Sequence, residues 1–74
     1  MNKISERTGV FMEWRGHSLL LVEGIDSLLS YRDNEIILGA CEQKISVNGA
    51  KLEMKYLTKD RIAIEGNIRA VQYV

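Results

Sequence analysis

The sequence predicts an all-β fold: a small antiparallel meander of seven or eight short strands closing into a sandwich or barrel-like roll. Three observations carry that expectation. Apolar residues come in short clusters between polar breaks, too short for helices and right for strands. Several clusters alternate strictly, as a strand with one buried face requires. Proline is absent, so no strand is disqualified on that ground.

Taken in order, Val10-Phe11-Met12-Glu13-Trp14 is the first candidate strand, and Gly16-His17 is the turn after it. Leu19 to Val22 is a continuous apolar run, as is Ile36-Ile37-Leu38 after Glu35. Such runs are strands covered on both faces or buried helix segments, and their shortness favours strands. Glu23-Gly24 supplies a glycine for a turn, bulge or bend. Arg32-Asp33-Asn34 and Thr58-Lys59-Asp60 are polar links of hairpin length. Lys44-Ile45-Ser46-Val47, Lys51 to Tyr56, and Arg61-Ile62-Ala63-Ile64 all alternate. Asn48-Gly49 between the first two of these reads as a type I′ hairpin turn. Glu65-Gly66 reads as another turn, bulge or bend, and Val71 to Val74 as a closing strand. Links this short are expected to make successive strands antiparallel neighbours.

Three segments share a spacing. Val22-Glu23-Gly24, Val47-Asn48-Gly49 and Ile64-Glu65-Gly66 are each followed, seven residues after the glycine, by a tyrosine: Tyr31, Tyr56 and Tyr73. Leu29, Met54 and Val71 stand two residues before them, on the same strand face. The pattern suggests one hairpin used three times, with the tyrosines in or at the edge of the core. On that reading, truncating Tyr56 to alanine costs roughly 3–5 kcal/mol. The competing reading is that β-rich chains favour tyrosine and glycine anyway.

The 74 residues suffice for one domain, expected over 9–74 after a flexible N-terminal segment 1–8. A domain this small buries only about 60% of its unfolded surface, so an oligomer or partner would relieve a thin core. Lysine plus arginine equals aspartate plus glutamate, and the basic residues are interleaved with acids. No nucleic-acid-binding stripe is expected from that balance, and nothing in the net charge opposes self-association. One cysteine, Cys41, allows no internal disulfide and suggests a reducing, cytosolic compartment. Met1 to Arg7 is polar with mixed charge, so neither a signal peptide nor a membrane span is expected.

Catalytic chemistry has little to stand on. His17 is the only histidine, and its place beside Gly16 suits a solvent-facing turn. Cys41 has no CxxC partner and suits a small hydrophobe at a strand end. The carboxylates are scattered around turns and solvated strand faces, and no phosphate loop, GxSxG or HExxH motif is present. No catalytic, cofactor-binding or metal residue is assigned, no cofactor is expected, and the chain is read as a non-enzyme. The candidate partner interface is Phe11, Trp14, Val71 and Tyr73. Trp14 and Phe11 are either core or an exposed aromatic surface of the kind enriched at interfaces. Val71 to Val74 has no charged residue after Arg69 and is the first candidate for an open sheet edge.

Several segments in order resemble the YabP/YqfC family of bacterial sporulation proteins, closer to the YqfC branch. They are Gly16 with Leu20-Leu21-Val22-Glu23, Ser27-Leu28-Leu29-Ser30-Tyr31, Arg32-Asp33-Asn34 with Glu35-Ile36-Ile37-Leu38, and Lys44 to Gly49 with Leu52 and Met54. The most distinctive is Ile62-Ala63-Ile64-Glu65-Gly66-Asn67-Ile68. The resemblance implies a non-enzymatic scaffold or adaptor in endospore formation, made in the mother cell. It implies a cytoplasmic protein, or one peripheral at the forespore membrane or coat. Its partners would be further copies of itself, a YqfD-type membrane sporulation protein, or spore-coat components, and not nucleic acid. Two rivals stand beside it: a small OB- or Sm-like ligand- or nucleic-acid-binding module, and a hydrolase using His17 with Cys41 or a carboxylate pair.

Overall fold

The computed structural model of the chain describes residues 9–40 and 42–74. The expected N-terminal segment 1–8 and Cys41 lie outside the described residues. The chain forms β1 (Phe11–Arg15), β2 (Leu19–Glu23), β3 (Ser27–Tyr31), β4 (Glu35–Ala40), β5 (Gln43–Leu57) and β6 (Arg61–Tyr73). These strands make one antiparallel sheet in the order β1-β2-β6-β5-β4-β3. The all-β expectation holds, but its closure does not. β1 and β3 are the two terminal strands and do not pair, so the sheet is open rather than a sandwich or barrel-like roll.

Among the described residues the strand number is six, not seven or eight, because two glycine segments read as turn or bend signals lie inside long strands. Asn48-Gly49 sits within β5, and Glu65-Gly66 within β6. Both strands bend there. An unbent strand of β5's 15 residues would run ~50 Å at ~3.3 Å per residue, yet the longest dimension of the molecule is 34 Å. The β5–β6 register slips between Asn48 and Gly49, between Ala50 and Glu53, and between Met54 and Tyr56. Each slip is a bulge that turns the strand and increases its twist.

The glycines of the three Val/Ile-x-Gly segments share a physical cause. A Cβ on Gly24, Gly49 or Gly66 would overlap the carbonyl oxygen of Gly9, Asn67 or Lys51 respectively. Each glycine N–H also donates to a carbonyl of another segment. Gly24 donates to Asp60 at 2.7 Å, Gly49 to Asn34 at 3.1 Å and Gly66 to Ser18 at 3.0 Å. The residue two before each glycine (Val22, Val47, Ile64) is fully buried. The shared unit is therefore a buried aliphatic followed by a point of backbone crossing, not a hairpin. The tyrosines do not belong to the core: Tyr31, Tyr56 and Tyr73 are each roughly half exposed.

The bends bring the two halves of the sheet around one core. In β2 and β4 the inward residues are Leu20, Val22, Ile36 and Leu38, with Leu21 and Ile37 half-buried on the other face. In β5 the inward side changes from Ile45 and Val47 to Leu52, as a slip of one residue requires. β6 contributes Ile62, Ile64 and Ile68. The hairpin turns are tied into the bends. In the β3–β4 turn, Asp33 O accepts Leu52 N–H at 2.8 Å beside the Asn34–Gly49 bond. In the β1–β2 turn, His17 O accepts Ile68 N–H at 3.3 Å beside the Ser18–Gly66 bond.

Successive strands are not all neighbours. Gly24 to Asp26 joins β2 to β3, yet these strands are separated by β6, β5 and β4 in the ladder. Four strand spacings amount to ~19 Å, and the four residue steps from Glu23 to Ser27 reach at most ~14 Å. The link is possible only because the sheet curls over its core. Asp26 N–H donates to Gly39 O at 2.7 Å on the far side of that crossing.

Candidate functional site

β1 is an edge strand with a continuous five-residue register against β2, from Phe11 opposite Glu23 to Arg15 opposite Leu19. Hydrogen-bond alternation fixes where its backbone points. Ser18 O and Gly24 N–H bond toward β6, so the even-numbered residues of β2 face β6 and the odd-numbered ones face β1. Phe11, Glu13 and Arg15 therefore bond to β2. The N–H and C=O of Met12 and Trp14 point away from the sheet.

The two faces of β1 differ. Trp14 lies opposite the buried Leu20 and Met12 opposite the buried Val22, so both point to the core side. Met12 packs on the core, while Trp14 sits at its lip, 46% exposed. Phe11, Glu13 and Arg15 point outward, and Arg15 Nε lies 3.3 Å from Glu13 Oε2. Phe11, 59% exposed, and Tyr56 flank a pocket of about 90 Å³ with Leu21, Glu13, Glu23 and Arg61. Arg61 Nε is 3.2 Å from Glu23 Oε2 at its rim.

Val71 and Tyr73 lie elsewhere. β6 is central in the strand order, but β2 accompanies it only from Arg61 to Glu65. From Asn67 to Tyr73, its strand partner among the described residues is β5 alone. Val74 N–H donates to Lys44 O at 2.9 Å, so by alternation the backbone of Tyr73 and Val71 points away from β5. Val71 packs against the core and Tyr73 is half exposed. The four candidate interface residues thus occupy two separate lengths of strand edge.

The other edge strand is built differently. The β3–β4 register slips between Leu28 and Ser30, a bulge at Leu29. Bulges on edge strands twist the edge away from further pairing. β1 carries no such slip and no lysine or proline.

The candidates for chemistry stay apart or out of view. His17 is exposed in the β1–β2 turn, and Cys41 lies outside the described residues. Among the described residues, no group of three or more histidine, cysteine, aspartate or glutamate side chains could hold a metal ion. Glu53 and Glu65 face each other across β5 and β6, with Lys55 Nζ 3.4 Å from Glu65 Oε1, an exposed charge cluster. One polar cluster escapes the sequence altogether. Ser46, only 2% exposed, donates through Oγ to Glu35 Oε2 at 3.0 Å or Asn48 Oδ1 at 3.1 Å. Glu35 and Asn48 are cross-strand partners, a pairing visible only once the β4–β5 register is known.

A family model described as the YabP family matches residues 6–74. The chain belongs to the YabP family. The match spans every strand, so the whole sheet is the family's domain. YabP proteins are sporulation proteins, and the Val/Ile-x-Gly crossings are structural features within the matched YabP span. No curated protein matches the chain as a relative. No helix among the described residues is long and apolar enough to cross a membrane.

Proposed function

We propose that this YabP-family chain is a non-enzymatic scaffold or adaptor in endospore formation, acting by strand addition at open sheet edges. Strand addition draws affinity from main-chain hydrogen bonds and specificity from alternate side chains. The observation that carries the reading is β1, an unbulged edge whose Met12 and Trp14 backbones point outward beside an exposed Phe11. Val71 and Tyr73 offer a second, shorter length of backbone with no strand partner on its outer side among the described residues.

Within the family, the chain is placed closer to the YqfC branch. The partners are further copies of the chain, a YqfD-type membrane protein or spore-coat components. The place of action is the mother-cell cytoplasm or, peripherally, the forespore membrane or coat. Nucleic acid is disfavoured as a ligand. The pocket flanked by Phe11 and Tyr56 is lined by Glu13, Glu23 and Arg61, with no basic excess to hold a phosphate backbone.

Trp14→Pro tests this reading. Its N–H faces outward, so proline is tolerated by the β1–β2 ladder but removes a donor a partner strand needs. In a sporulating host lacking the native protein, the variant is expected to fold and to fail in spore formation. Full rescue by the folded variant would sink strand addition at β1.

A further inference from the structure

We propose that the partner of β1 is β1 of a second copy, paired antiparallel about a two-fold axis at Trp14, joining two open sheets into one. This rests on the proposed role of the edges and names the occupant of one of them.

The registers open to a symmetric β1 pair are few. Centred on Met12, the pairing sets Glu13 against Phe11 of the second copy and leaves Arg15 against Gly9. Centred on Glu13, it sets Glu13 against Glu13, and like charges directly opposite are destabilising. Centred on Trp14, it sets Glu13 of each copy against Arg15 of the other. Both residues already share the outer face, where they are ion-paired at 3.3 Å. The two-fold turns that local pair into a ring of four alternating charges.

The remaining positions fit the same register. Trp14 faces Trp14 at the lip of the two cores, with its outward N–H and C=O as the central hydrogen-bonded pair. Met12 falls against Gly16, where a Cβ would meet nothing within 4 Å. The formal net charge of zero adds no long-range repulsion between copies. The bulge at Leu29 takes β3 out of competition for the same pairing.

The test is solution mass by light scattering from micromolar to millimolar protein, with Trp14 emission as a second signal. Wild type is expected to dimerise, with a blue shift of its single tryptophan. Glu13→Arg or Arg15→Glu alone sets like charges opposite each other twice and weakens the dimer roughly tenfold or more. The double swap, Glu13→Arg with Arg15→Glu, restores it. Both side chains are at least half exposed, so the fold is kept. A wild type that stays monomeric overturns the proposal. So does a Glu13→Arg dimer as tight as wild type, or a swap that fails to restore. A monomeric wild type combined with sporulation failure of Trp14→Pro assigns the edge to another protein. A dimer combined with full sporulation of that variant removes the edge's role while leaving the dimer.

Discussion

The phenol oxygen of Tyr31, at the end of β3, accepts the backbone N–H of Met54 in β5 at 3.0 Å. β4 leaves β5 at Asn48, so the second half of β5 has a free side. Tyr31 and the Asp33 carbonyl fill part of it, occupying the donors of Met54 and Leu52. Tyrosine here is an edge cap, with its ring half in solvent.

Tyr31→Phe is therefore expected to lower stability by only about 1 kcal/mol, the net worth of one hydrogen bond. Amide exchange should find the change concentrated at Met54. Unchanged protection of that amide would contradict the cap.

Tyr56→Ala is expected to cost about 1 kcal/mol or less, because its ring is half exposed. Ile64→Ala, at a fully buried site, should cost about 2–5 kcal/mol. Urea denaturation of the two variants gives the order directly. The larger loss at Tyr56 would return the tyrosines to the core.

Gly49→Ala and Gly66→Ala each force a Cβ into a backbone carbonyl, and both should lose about 3 kcal/mol or more. Gly16→Ala keeps open space around its Cβ and carries only the strain of φ +66°, about 1 kcal/mol. Thermal melts should therefore rank Gly16→Ala well above the other two.

Ser46→Ala removes a buried hydroxyl from between Glu35 and Asn48 and should cost about 1–2 kcal/mol. A double-mutant cycle with Glu35→Ala should show coupling, since the two groups share one bond.

Local features of this fold were legible in the sequence, and non-local ones were not. Arg32-Asp33-Asn34 and Thr58-Lys59-Asp60 are the hairpin links expected of them. The apolar run Leu19 to Val22 is a strand. Asn48-Gly49 misled because glycine answers two different demands, positive φ in a turn and closeness of another backbone. Here Asn67 of β6 supplies the second, and nothing near Gly49 in the chain announces it. The β2–β3 link misled likewise, since its length says nothing about a curled sheet. Trp14 lies on the core side of β1 yet is 46% exposed, a position that its place in the sequence does not display. Among the described residues no strand runs beside Val71 and Tyr73 on the side away from β5, for a reason the sequence does not display, the early end of β2.

The central place of β6 has a consequence for biogenesis. β6 follows the other five strands in the chain, yet it alone joins β2 to β5. Until the ribosome has released it, the nascent chain holds β1–β2 and β3–β4–β5 as separate pieces with bare apolar faces. The bonds from the His17–Ser18 turn to Gly66 and Ile68 must also wait for it. The sheet thus assembles after translation of β6, through long-range contacts that form slowly. In that interval the edges of β2 and β5 that β6 later covers stand unpaired, in addition to the edge of β1 that the folded sheet keeps open.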